Sequence, residues 1–236
     1  CYSTPLCGPT RCQIMTGRYP FRTGGLTNQT AGQPVSQDEY PLARILTEAG
    51  YDTCSVGKWR QMGATPGDWG FGEYITDPTA GGWYWQKSYT KNGQLVETDK
   101  EIYYPDVTHD HAVDFLRRHA AGGAAAGKPF FLYYPSHLVH GPILRTPDSK
   151  PGEQDGQTLY NDNVAYLDKQ VGALVAELDR LKLRENTLIV FSGDNGTVGQ
   201  TGTINGRQIN GQKGTMMEGG ARVPLIANWK GVTPAG

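Results

Sequence analysis

Short apolar runs in this sequence end, one after another, in polar clusters, and that repetition constrains the fold more than any other feature. Residues 128–134 (KPFFLYY) form a continuous apolar run, the pattern of a strand buried on both faces as in a parallel sheet. It leads straight into Ser136-His137-Leu138-Val139-His140-Gly141-Pro142. Residues 51–56 lead into Gly57-Lys58-Trp59, residues 186–191 lead into Ser192-Gly193-Asp194-Asn195-Gly196, and residues 223–229 make a last run. Helical periods lie between them. Leu42, Ile45, Leu46 and Ala49 share a face between Pro41 and Gly50. Val107, Ala112, Phe115 and Leu116 do so in 106–119, and Val164, Leu167, Val171, Leu174, Val175, Leu178 and Leu181 in 161–183. This alternation predicts an α/β fold: a largely parallel central sheet with helices on both faces. Its chemistry should lie at the C-terminal ends of the strands, where open α/β sheets bind ligands.

At 236 residues the chain reads as a single domain, 1–236, with a sizeable core. Residues 66–104 show no strong period and are an aromatic-rich excursion, with Trp69, Phe71, Tyr74, Trp83, Tyr84, Trp85 and Tyr89. They suit a wall for a sugar substrate or a small core of their own equally well. Asn92-Gly93 within them reads as a hairpin turn. A net charge of −1 gives no ground for a nucleic-acid or membrane-surface partner, and no apolar run is long enough for a membrane-spanning segment. The start at Cys1 without Met and the end at Pro234-Ala235-Gly236 lead us to expect a fragment cut at both ends. Four cysteines are too few for a disulfide scaffold, and the lack of a Cys-x-x-Cys pair argues against a structural zinc site.

The first chemically suggestive stretch runs from Pro5 to Arg18. Pro9 suits the first turn of a helix and Gly17 its end, which puts Cys7 at the helix N-terminus, where backbone N–H groups and the helix dipole favour an anion. Arg11 follows four residues later, about one turn on, and can reach the same anion. The residues alone leave Cys7 open between a nucleophile, a buried thiol and half a disulfide. The later clusters complete an inventory for cleaving an ester at a tetrahedral oxyanion. Asp194 and Asn195 offer hard oxygens suited to Ca2+ or Mg2+, and Lys58, Lys213 and Arg11 offer cations for sulfate or phosphate. His140 offers a general acid and Cys7 a nucleophile. Taken singly, Asp-Asn-Gly is an ordinary turn, a Lys is ordinarily solvated, and a His before Gly-Pro can simply bond within its loop.

The run from Pro5 to Gly17 resembles the signature of the type I sulfatases, Cys-x-Pro-Ser/Thr-Arg followed by Thr-Gly. Gly50-Tyr51-Asp52-Thr53 through Gly57-Lys58-Trp59 is similar to the family's second signature, His140-Gly141-Pro142 to its His-x-Pro, and Asp194-Asn195-Gly196 to its calcium-binding Asp-Asn-Gly. Lys213, with Glu218-Gly219-Gly220-x-Arg222-Val223-Pro224 after it, resembles the second sulfate-binding lysine. The resemblance implies an alkaline-phosphatase-like fold and hydrolysis of a sulfate monoester, with a sulfated carbohydrate as substrate. Cys7 would be oxidised to formylglycine by a formylglycine-generating enzyme, and its hydrate would be the nucleophile. Arg11 would hold that hydrate, and Cys7, Asp194 and Asn195 would ligate one Ca2+. Lys58, Lys213 and His140 would bind substrate, with His140 protonating the leaving oxygen. Export to the periplasm, lysosome or cell exterior would follow.

Two departures temper this. Arg60 stands where the family has a His directly after Gly-Lys-Trp, and Arg cannot act as a base near neutral pH. The family's Asp-Asp pair upstream of the nucleophile would lie before Cys1, so the chain as given is expected to bind Ca2+ poorly and to have little activity. His137 has no assigned role. Two further readings remain: a phosphodiester or phosphonate monoester hydrolase of the same superfamily, and an inactive relative that binds sugar sulfates.

Overall fold

The computed structural model describes residues 1–32, 39–77, 84–199 and 202–234. Trp83 lies outside the described residues, as does the side chain of Arg60. The chain packs as two compact units, one comprising Cys1–Ile45, Gln61–Trp69 and Glu185–Gly236, the other Leu46–Arg60 and Gly70–Arg184.

The second unit holds the main sheet. Its strands are β1 (Asp52–Gly57), β2 (Glu73–Thr76), β3 (Trp85–Lys91), β4 (Gln94–Tyr103) and β5 (Phe130–Tyr133), in the order β4-β3-β2-β1-β5. β1 pairs in parallel with both β2 and β5, while β3 runs antiparallel to β2 and to β4. The α/β expectation holds, and the sheet is mixed, parallel over three strands. The antiparallel part follows from local chemistry. Lys91 pairs with Gln94 across Asn92-Gly93, whose φ angles are 47° and 81°. A two-residue loop with both φ positive joins only antiparallel neighbours, and Asn-Gly is the pair that tolerates it. β2 escaped the sequence reading because four residues are too few to display a period.

Both faces of this sheet are covered. On one, Cys54, Val56, Phe130, Leu132 and Tyr134 pack against Ala112 and Phe115 of the long helix Tyr104–His119 and Leu174 of the helix Gly156–Arg180. On the other, Phe71 stacks on Phe131 and Tyr133 at centroid distances of 5.9 and 6.1 Å, with Trp59 edge-on to Phe71 and Tyr133. Helix 156–180 begins earlier than its apolar period suggests. Asp155 caps it, its carboxylate accepting from the Thr158 N–H at 2.7 Å. The aromatics of 66–104 serve as core: Trp69, Phe71, Tyr74 and Tyr84 are buried, and Tyr84 clusters with Tyr103, Leu138 and Tyr166.

The first unit contains α1 (Cys7–Thr16), α2 (Pro20–Thr23), a short helix Glu218–Ala221, a small hairpin (β7, Thr203–Ile204; β8, Arg207–Gln208), and β6 (Ile189–Ser192) paired with β9 (Leu225–Asn228). The runs 186–191 and 223–229 do form strands, but they pair antiparallel with each other. Helices are numbered in chain order, with α3 Leu42–Glu48, α4 Tyr104–His119, α5 Gly156–Arg180 and α6 Glu218–Ala221. Among the described residues no helix is long and apolar enough to cross a membrane.

Phe115 is 1% exposed at the centre of the face that α4 presents to the sheet. Phe115→Ala should cost about 3–5 kcal/mol, the usual loss for emptying a packed aromatic site. Urea unfolding should show a lower midpoint with an unchanged denaturant slope.

Candidate functional site

Cys7 is the first residue of α1, as its sequence context predicts. Leu6 before it is extended (φ −133°, ψ 142°), and Gly17 ends the helix in the left-handed region, its N–H donating to Gln13 O. Leu6 has no side chain able to cap the helix, so the exposed amides need a donor-satisfying group from elsewhere. Asn28 provides it. Its Oδ1 accepts from Gly8 N–H at 2.9 Å and lies 3.4 Å from Cys7 Sγ. Cys7 is 1% exposed, and all four cysteines are free.

Arg11 points away from bulk water. It is buried, and its Nε and Nη2 both donate to Asp194 Oδ2 at 2.8 Å. Asp194 is therefore held beside the helix that carries Cys7. The Asp-Asn-Gly turn after β6 is locked by backbone bonds from Gly193 N–H to Pro224 O (3.3 Å) and Gly196 N–H to Gly220 O (2.9 Å). Gly196 packs so closely on Gly219 that a Cβ would run into the Gly219 carbonyl oxygen. Within this turn Asn195 Nδ2 donates to Gly196 O at 2.7 Å, while Asn195 Oδ1 is buried with no hydrogen-bond partner. A buried acceptor left without a donor costs about 1–3 kcal/mol, so this atom is poised for a ligand the chain does not itself supply. Lys213 joins the same unit's cluster through its backbone: its N–H donates to Thr197 O, and the next N–H, of Gly214, donates to Pro5 O, both at 2.9 Å.

The second unit groups the other predicted residues. Lys58 follows β1 and is 2% exposed, with its backbone N–H on Pro135 O at 2.8 Å. Trp59 N–H donates to Asp77 Oδ1 at 3.4 Å, and His137 Nε2 lies 3.5 Å from the same oxygen, both side chains being buried. The Tyr104 ring meets the His137 ring edge-on at 5.3 Å. The loop after β5 is pinned by Tyr84, whose hydroxyl lies 2.6 Å from His140 O and 3.1 Å from His137 O. His140 is half-buried, with Nδ1 2.6 Å from Gly141 O. A carbonyl only accepts, so Nδ1 carries the proton and Nε2 is the atom that takes up or gives one. His137 is a packed, paired core histidine. Arg60 begins a single 3-10 turn, Arg60–Met62.

Two residues of these clusters were not found from sequence. Asn28 lies in a Thr27-Asn28-Gln29 loop that matches no motif. Asp77 lies just after β2, and strand-end position would have singled it out had β2 been recognised.

The same ground is covered by known proteins. A model of the Sulfatase family matches residues 1–235. The chain belongs to the sulfatase family. N-acetylgalactosamine-6-sulfatase of Canis lupus familiaris is 31% identical over 268 residues, covering 99% of this chain and 50% of that protein. The chain thus spans about half the length of the curated relatives it matches. Among solved structures, Ps i-CgsB in complex with k-i-k-neocarrahexaose superposes with a TM-score of 0.81 and 29% identity, covering all of this chain and 58% of that one. An alkaline phosphatase superfamily protein from Vibrio parahaemolyticus shares the fold, with a TM-score of 0.63, 15% identity and coverage of 99% of this chain and 51% of that one.

Asn28→Ala should remove the side-chain acceptor on the first turn of α1 and cost about 1 kcal/mol, the usual value of an N-terminal cap. Asn28→Asp keeps the acceptor and should lose less than half as much in the same denaturant titration.

Proposed function

We propose that the whole protein is a hydrolase that cleaves a sulfate monoester on a sulfated carbohydrate, and that this chain is a single catalytic domain of it. Asn195 Oδ1 carries the reading furthest: a buried oxygen with no donor, next to a carboxylate that is tied to the arginine of the nucleophile's helix. Oxygen donors of this kind fit Ca2+ better than a softer metal. Asp194 and Asn195 would hold the ion, with the oxygens of a modified Cys7 as a further ligand. Bound there, Ca2+ supplies positive charge to offset the charge that develops on the sulfate oxygens.

The chain's own residues account for the remaining work. Cys7, converted to formylglycine by a maturating enzyme, supplies the attacking oxygen from a helix N-terminus, where partial positive charge favours an anion. Arg11, anchored on Asp194, orients that group. Lys58 and Lys213 neutralise the sulfate. His140, with its Nδ1 proton committed to Gly141 O, delivers a proton from Nε2 to the departing alcohol. The relatives named N-acetylgalactosamine-6-sulfatase and the neocarrahexaose bound to Ps i-CgsB support a sulfated sugar as substrate.

The test is the full-length protein co-produced with a formylglycine-generating enzyme. Mass spectrometry of the Cys7 peptide should find the aldehyde, and Ca2+-dependent release of sulfate should follow from sulfated galactose or N-acetylgalactosamine oligosaccharides. Unmodified thiol with no turnover would refute the proposal. Faster turnover of an aryl phosphodiester than of an aryl sulfate would shift it to phosphoester chemistry. Arg60 in place of the family's His favours one other reading, a relative that binds sulfated sugars without turnover. Binding with no sulfate release from fully modified protein would establish it.

His140→Ala should lower kcat on a sugar sulfate by about a hundred- to ten-thousandfold, the range for a lost general acid. The loss should shrink for an aryl sulfate whose phenol leaves without protonation. Equal losses on both substrates would remove His140 from the acid role.

A further inference from the structure

A second set of metal-type ligands comprises residues to which the proposed sulfatase chemistry gives no role. Cys54 and Glu73 are direct register partners on the parallel strands β1 and β2, so their side chains leave the sheet on the same face. Helix α4 covers that face. His111 on it stands one turn before Phe115, which packs against Cys54. The sulfur of Cys54, a carboxylate oxygen of Glu73 and a ring nitrogen of His111 all lie within 4.8 Å of one another.

His111 and Glu73 pair with each other, and Cys54 lies beside them. His111 Nε2 is 2.6 Å from Glu73 Oε1, yet it is a buried nitrogen with no aligned hydrogen bond. Arg118 Nη2 reaches that same Oε1 at 2.6 Å, so both contacts fall on one oxygen of the carboxylate. Cys54 is fully buried. Burial pushes this thiol up, with the Glu73 carboxylate adding to the effect. The result is a sulfur, an imidazole and a carboxylate facing each other between sheet and helix, each on a different element.

We propose that Cys54, Glu73 and His111 form a binding site for a divalent transition metal of the zinc type. The donor set is one sulfur, one nitrogen and one oxygen, which favours Zn2+ or Co2+ and disfavours Ca2+ and Mg2+. The metal takes the thiolate. A bond forms from Cys54 sulfur to the ion and the thiol proton leaves to solvent past Glu73, the only one of the three not fully enclosed. The imidazole lone pair and the carboxylate complete a three-ligand site, and water takes the fourth position. Arg118 stays on the carboxylate as its outer partner. A spacing rule such as Cys-x-x-Cys does not register this site, because its ligands sit on two strands and a helix.

The test is a Co2+ titration of the purified chain, reduced and stripped of metal, read by absorption. A thiolate-to-cobalt charge-transfer band should grow to one equivalent, persist in excess Ca2+ and vanish when one equivalent of Zn2+ is added. Cys7→Ser should leave it in place, and Cys54→Ser should remove it. Glu73→Gln and His111→Gln should each weaken Co2+ binding at least tenfold. No thiolate band in the wild-type chain overturns the proposal, leaving an ion-pair network with a buried thiol. A band that survives Cys54→Ser overturns it too. Should Cys54→Ser not fold, unchanged Co2+ affinity in both Glu73→Gln and His111→Gln overturns it by itself.

Discussion

The contact between Arg11 and Asp194 joins residues 183 positions apart, and the first unit's chemistry depends on it. The Arg11 side chain is 7% exposed and that of Asp194 26%. At that burial the pair gains little over an apolar replacement, but losing one partner leaves a charge stranded away from water, a penalty of about 3–5 kcal/mol. The arrangement is thus a commitment. It fixes the turn after β6 against α1, and with it the orientation of Asn195. The backbone locks of Gly193 and Gly196, and the closeness of Gly196 to Gly219, make the turn too rigid to re-aim Asn195 Oδ1 toward a protein donor. An acceptor held this firmly, without a partner among the described residues, is the feature on which the proposed cation site rests.

Much of this could be read from residues in advance, wherever the signal is local. The helix start at Cys7, the left-handed stop at Gly17 and the Asn92-Gly93 hairpin each rest on the conformational limits of one or two residues, and each appears as expected. The apolar runs at 128–134, 186–191 and 223–229 all contain strands. Pairing was less legible. The direction of a strand depends on what lies beside it, and a buried run looks the same in either orientation. So β6 and β9, which read as members of a parallel sheet, form an antiparallel pair. The aromatic stretch was ambiguous for a different reason. Tyr84 and Trp85 are as suited to a sugar wall as to a core, and only their packing on Tyr103 decides for the core.

Long-range partners were invisible for a related reason. Asn28 caps a helix that starts twenty-one residues earlier, and nothing in Thr-Asn-Gln marks it for that task. Asp77 collects the Trp59 amide and the His137 ring on one oxygen, a role set by where β2 ends. Tyr84 reaches across 53 and 56 residues to hold the carbonyls of His137 and His140. In each case a polar side chain supplies what a distant backbone or ring lacks. The need is created by the fold, so it leaves no trace in the neighbouring sequence.

The chain then offers two ligand sets of opposite character. Asp194 and Asn195 present only oxygens, on a tight turn beside a buried guanidinium. Cys54, Glu73 and His111 present sulfur and nitrogen with a single carboxylate, in an apolar face between sheet and helix. Calcium wants about six to eight oxygens at flexible distances, which the second set cannot approach. A zinc-type ion prefers sulfur and imidazole, and the first set would lack both once Cys7 were converted to formylglycine. Under the two proposed assignments, ligand chemistry would keep the two ions apart without any need for separate delivery. On the same argument the conversion of Cys7 would have a second consequence: it would remove the one soft donor that could let a zinc-type ion compete at the oxygen site.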